Sequence, residues 1–167
     1  MRKLLVAICL LGLFFAPSAL QAQFSLGFEG VWGDETDWGI GGRATVDLSP
    51  RAPVAFIGTY DYFWPSTAPV IDRQYWEVNV NAVYVQSVSG PQAQTYVGLG
   101  LNIADFSAED RSTGETESRT EYGLNILGGT RYKVSRLAPF FEIRYTIEGS
   151  QQLVITLGLD LLFGRVE

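Results

Sequence analysis

Histidine is absent from the 167-residue chain and cysteine occurs once. The missing histidine removes the commonest general base of hydrolases and acyl transferases. The single cysteine, Cys9, sits in the middle of an N-terminal apolar run. The remainder therefore has no thiol chemistry, no disulfide and no cysteine-based metal site. Apolar runs are short as well. The longest, LLVAICLLGLFFA (4–16), has thirteen residues, too few to cross a bilayer core as a helix, which takes about 20. Positive charge is scarce, with 12 basic against 18 acidic residues. No basic stripe offsets that balance, so nucleic acid is excluded as a partner. No stretch carries the helical period either.

What is present at the N-terminus is Arg2 and Lys3, then the apolar run, then Pro17 and Ser18, then ALQA (19–22). That order of charge, short apolar core and small residue is a secretory signal peptide. It predicts cleavage after Ala22, with Leu20 an unusually large residue three places before the cut. Residues 23–167 then carry 10 basic and 18 acidic side chains, a net charge of −8.

From residue 23 onward the pattern is alternation with period two, the mark of strands whose faces meet different surroundings. Eight such segments occur. The first sets Phe24, Leu26, Phe28, Gly30 and Trp32 against Ser25, Gly27 and Glu29. The second sets Trp38, Ile40, Ala44, Val46 and Leu48 against Arg43, Thr45 and Asp47. The third, the noisiest, sets Val54, Phe56, Tyr60, Tyr62 and Trp64 against Ala55, Ile57, Thr59, Asp61 and Phe63. The fourth sets Trp76, Val78, Val80, Ala82 and Tyr84 against Glu77, Asn79 and Asn81, and the fifth Val97, Leu99, Leu101 and Ile103 against Tyr96 and Asn102. The sixth sets Tyr122, Leu124 and Ile126 against Glu121, Asn125 and then Arg131. The seventh sets Phe141, Ile143, Tyr145 and Ile147 against Glu142, Arg144 and Thr146. The eighth sets Leu153, Ile155, Leu157, Leu159, Leu161 and Phe163 against Thr156 and Asp160. Each is about 9–12 residues long, the length a tilted strand needs to cross a membrane. No apolar face carries a charge, which facing hydrocarbon would cost about 2–4 kcal/mol for Lys or Arg.

The connectors alternate in character. SPRAP (49–53), SVSGPQA (87–93) and KVSRLA (133–138) read as turns on the inner, periplasmic side. DETD (34–37), PSTAPVI (65–71), the long charged DFSAEDRSTGETESR (105–119) and EGSQQ (148–152) read as external loops. Trp32, Trp38, Trp64 and Trp76, with Tyr62, Tyr75 and Tyr122, fall near the predicted external strand ends. Phe24, Tyr84, Tyr96, Tyr132 and Phe163 fall near the other. Two aromatic belts are the girdles of a membrane barrel. A secreted soluble barrel would alternate too, with the sense reversed. The glycine-rich polar face (27, 39, 41, 98, 100, 123, 129, 158), its mixed charges and the aromatics at strand ends favour the membrane sense.

Over residues 23–163 this layout resembles the small outer-membrane β-barrel group that includes the OmpA transmembrane domain, OmpX and the opacity-type adhesins. GLDLLF (158–163) looks like that group's terminal strand, although GRVE (164–167) follows it here. The resemblance implies an all-β, eight-stranded antiparallel up-and-down transmembrane β-barrel in the outer membrane of a Gram-negative bacterium. It also implies a structural or surface-interaction role through external loops, insertion by the barrel assembly machinery, and surroundings of lipid and lipopolysaccharide. A monomer without a cofactor is expected, and the absent histidine argues against an enzyme.

An eight-stranded barrel is only wide enough to be filled by side chains. Glu29, Arg43, Asp47, Asp61, Glu77, Arg131, Glu142, Arg144 and Asp160 are therefore expected to form a polar network plugging the lumen. A narrow passive channel is the alternative. A less favoured alternative is a lipid-modifying enzyme, in which a carboxylate pair such as Glu142 and Asp160 would transfer protons, although this many interior strand charges produce such neighbours by chance. Glu109, Asp110, Arg111, Glu115, Glu117 and Arg119 are expected on the external loop, as a contact surface for a host or neighbouring molecule. Their spacing does not match an EF-hand calcium loop.

Overall fold

The structure, a computed structural model, describes residues 23–49, 52–65, 71–88, 90, 92–110, 112, 116–149 and 151–163. The signal-peptide expectation (1–22) and the GRVE extension lie outside the described residues. Eight strands follow one another: β1 (Gln23–Gly33), β2 (Asp37–Ser49), β3 (Ala52–Phe63), β4 (Ile71–Ser87), β5 (Ala93–Asp110), β6 (Thr116–Tyr132), β7 (Leu137–Ile147) and β8 (Gln152–Phe163). Each pairs antiparallel with its sequence neighbour, and β1 pairs with β8 to close the barrel. Closure leaves no edge around the barrel wall, which is how strands satisfy their backbone inside a membrane.

The alternation comes out in the predicted phase on every strand. Phe28, Val97, Leu99 and Tyr122 stand 68%, 63%, 65% and 72% exposed, while Glu77, Asn79, Glu142 and Arg144 are completely buried. A soluble protein does not turn apolar side chains out and charges in. The arrangement excludes the lipocalin sense and requires hydrocarbon around the barrel. Lumen glycines fit the narrow bore. A β-carbon on Gly100 would meet Val80 O at 2.5 Å, whereas one on outward-facing Gly42 would meet nothing within 4 Å.

The four tryptophans gather at one rim, on β1–β4. Trp32 pairs with Trp38, Trp64 N donates to Trp38 O at 2.9 Å, and Trp76 stacks on Tyr60 at 6.1 Å. At the opposite rim Phe24 meets Phe163 at 6.0 Å. Two girdle assignments are corrected. Tyr75 and Tyr96 are buried in the lumen, 3% exposed each, because each precedes an outward residue by one place and so points inward.

The second correction concerns the loop 105–119. β5 runs on to Asp110 and β6 starts at Thr116. Their pairing continues unbroken from Asp105↔Thr120 to Glu109↔Thr116. β4 extends alongside, with Ile71↔Asp110 to Gln74↔Ser107. Most of the expected loop is thus strand, and residues 71–74, 107–110 and 116–118 form a three-stranded wall raised above the rest of the rim. Four residues of strand amount to about 13 Å of strand length.

Candidate functional site in the lumen and on the outer rim

The register places the lumen charges on shared rungs. Glu29 lies opposite Gly41, Gly41 opposite Asp61, and Asp61 opposite Glu77. Arg144 enters from β7 on the far wall. Its Nη2 donates to Asp61 Oδ2 at 2.9 Å and also to Glu77 Oε1. Arg43 donates to Glu142 Oε2 at 2.8 Å and to Tyr96 Oη at 3.1 Å. Tyr96 in turn donates to Glu142 at 2.9 Å. The Arg43 guanidinium also lies over the Phe140 ring at 4.2 Å, a cation–π contact strengthened by the burial of both groups.

Amides complete the filling. Asn79 Oδ1 accepts from Asn102 and Asn125, each at 2.8 Å. Above them Gln152 Nε2 donates to Glu77 at 3.0 Å, and Thr36 donates to Gln152 at 3.0 Å. Apolar side chains close both ends: Val31, Phe63, Tyr75, Ala104 and Val154 in one cluster, Ala55, Ile57, Val83, Tyr96 and Leu127 in the other. At the inner end Arg131 Nη2 grips both oxygens of Asp47 at 2.7 and 2.8 Å. Lys133, just beyond β6, donates to Gln23 at 2.7 Å. Its ammonium is held below the ordinary lysine range by burial and by neighbouring Arg131, with Asp47 opposing.

Of the nine expected lumen residues, seven are joined by short ion pairs: Arg43–Glu142, Arg144 with Asp61 and Glu77, and Arg131–Asp47. Glu29 approaches Arg43 only to 3.8 Å. Asp160 is buried with neither oxygen hydrogen-bonded. Glu142 and Asp160 do not pair, since they sit four residues apart along matched strands, opposite Thr156 and Ala138. The sequence reading puts Asn79, Asn81, Asn102, Asn125 and Tyr96 on inward faces without counting them in the network, and it leaves out Tyr75 and Gln152. Their position in the alternation, in phase with Glu77, Asn102 and Thr156, was the signal. No group of three metal-binding side chains occurs among the described residues.

On the rim, Glu109 and Asp110 end β5, with Glu109 opposite Thr116. Glu117 lies opposite Ala108 and Arg119 opposite Phe106. Arg119 pairs with Glu121 at 2.8 Å. Arg111 and Glu115 lie outside the described residues. Inside the wall is a cavity of about 360 Å³, lined by Glu35, Arg73, Tyr75, Phe106 and Gln152 among others. Pairing of β6 with β7 begins only at Leu124↔Ile147. The turn at Glu148–Gly149 packs against Glu121–Gly123, and among the described residues Thr116–Thr120 has no strand partner on that side.

No protein-family model matches the chain, and no curated protein matches it by sequence. Solved structures do match. The N-terminal β-barrel domain of Pseudomonas aeruginosa OprF superposes with a TM-score of 0.64 at 16% identity, over 86% of this chain and 98% of that one. Ail, the attachment invasion locus protein of Yersinia pestis, superposes at 0.61 and 17%, over 85% and 97%. Neisserial surface protein A does so at 0.59 and 17%, again over 85% and 97%. Ail has also been solved in complex with the heparin analogue sucrose octasulfate. At these identities what is shared is the fold, that of the small outer-membrane β-barrel proteins.

Proposed function

We propose that this chain, with the fold of a small outer-membrane barrel, is an exported integral protein of the Gram-negative outer membrane that serves surface interaction and carries no chemistry of its own. Residues 1–22 direct export, and the assembly machinery reads the terminal strand. Lipid and lipopolysaccharide surround the wall, and the polar network plugs the lumen. The carrying observation is the raised β4–β6 wall with its edge, Thr116–Thr120, that pairs with no strand on its far side among the described residues. An open strand edge presents a row of unpaired N–H and C=O groups, a template for an extended segment of another protein. The side chains around it select the partner's charge. Asp34, Glu35, Asp105, Glu109, Glu117, Glu121 and Glu148 outweigh Arg73 and Arg119 among the described rim residues. A basic partner suits this rim, and a sulfated polyanion of the kind bound by Ail does not.

The test replaces residues 108–117 with an Asn-Gly turn, which suits a two-residue hairpin. Bacteria displaying the shortened protein should lose binding to host-cell or matrix surfaces, while the barrel keeps its heat-dependent gel mobility. Binding that survives the replacement would remove the wall from the function.

A further inference from the structure

We propose that Glu29 and Asp61 hold one proton between them across Gly41, with Glu29 a neutral carboxylic acid donating to Asp61 Oδ1. The inference is independent of any surface partner and concerns the lumen alone. Five carboxyl groups lie at its centre, Glu29, Asp61, Glu77, Glu142 and Asp160, none more than 2% exposed. Only two guanidinium groups, Arg43 and Arg144, share that space among the described residues. Their short bonds go to Glu142, Asp61 and Glu77. Glu29 receives a single contact at 3.8 Å from Arg43, and neither of its oxygens accepts a hydrogen bond.

Asp61 shows the complementary defect. Its Oδ2 accepts from Thr59, Asn79 and Arg144 at 3.2, 3.4 and 2.9 Å. Its Oδ1 is buried and accepts from nothing. The two defects face each other. Glu29 and Asp61 flank Gly41 on one rung. A β-carbon there would collide with Asp61 Oδ1 and touch Cγ of Glu29 at 3.0 Å. The missing side chain lets two carboxyl groups meet where any other residue would part them. The other charged groups near the pair are Arg43 on β2, Glu77 on β4, Glu142 and Arg144 on β7, and Asp160 on β8.

Two ionised carboxylates are acceptors only and cannot satisfy one another. Protonating one supplies the absent donor and removes one of three uncompensated negative charges, the solution two close carboxyls adopt when both cannot ionise. A metal ion would be the other remedy, but no third histidine, cysteine or carboxylate joins the pair in a metal-holding group among the described residues. Glu29 rather than Asp61 carries the proton, because Asp61 already receives a charged donor from Arg144.

Infrared spectroscopy of the barrel refolded in lipid vesicles at neutral pH tests this. The expected result is a protonated-carboxyl C=O stretch that shifts in D₂O and moves when glutamate carboxyls alone are labelled with ¹³C. The band should vanish in Glu29→Gln, which keeps the donor and the shape, with an unchanged melting temperature. It should persist in Asp160→Asn. Absence of the band in the unmodified protein, or its response to aspartate labelling instead, would overturn the assignment. So would a melting temperature that climbs with sodium or calcium concentration and loses that dependence in Glu29→Gln, since a cation would then occupy the proton's place.

Discussion

At the scale of single residues, burial decides what each charge is worth. Arg144 is completely enclosed and holds Asp61 and Glu77 together. Replacing it with methionine strands two carboxylates, so Arg144→Met should cost about 3–5 kcal/mol. Urea unfolding of the vesicle-refolded barrel would measure that loss. The Arg119–Glu121 pair has the same short geometry, but its arginine side chain is 79% exposed. Arg119→Ala should therefore cost no more than about 1 kcal/mol. Glycines separate in the same way. A β-carbon on Gly98 would press on the backbone of Val83 at 2.9 Å as well as on Ala82 O, so Gly98→Ala should cost about 1–3 kcal/mol of overpacking. Gly42→Ala, facing lipid with open space around it, should be neutral or slightly stabilising in the same assay, because alanine loses less freedom than glycine on folding.

At the scale of elements, every strand and its phase could be read from the alternation, because hydrocarbon penalises charge on one face and leaves the other free. The noisy third strand illustrates the limit of composition. Ala55, Ile57 and Phe63 are apolar yet inward, and Asp61 sets their face. Tyr75 and Tyr96 were misplaced because an aromatic is at home in either environment, so only parity locates it. Strand length failed above the membrane. In FSAE (106–109) and TESRTE (116–121) both faces meet water, the contrast that marks a strand disappears, and hydrogen bonding between β5 and β6 continues unannounced. Which acid meets which arginine was also illegible, since Arg144 reaches across the bore to β3 and β4. If the wall stands outside, trypsin added to intact cells should cut near Arg111 or Arg119 and spare Lys133 and Arg136 at the inner turn. Mass spectrometry of the released peptides checks this, and inner-turn cleavage in intact cells would reverse the orientation.

At the scale of the whole molecule, the filled bore predicts that the protein in a planar bilayer produces no stable single-channel steps. Discrete, reproducible conductance would favour the narrow channel over the plug. The closure of the ring has a further consequence, for the order of assembly. Seven of the eight seams join strands adjacent in the chain and form through short turns. The eighth, from Phe24↔Phe163 to Gly33↔Val154, joins the two ends of the described chain. Bringing ends about 140 residues apart together costs roughly 4 kcal/mol of chain entropy, which is recovered only as the rungs of this ladder form. The rate of folding therefore hinges on this one ladder. Substitutions along β1 and β8 should slow insertion more than equally destabilising ones in the β4–β5 hairpin, and an unclosed barrel is the species to look for when assembly stalls.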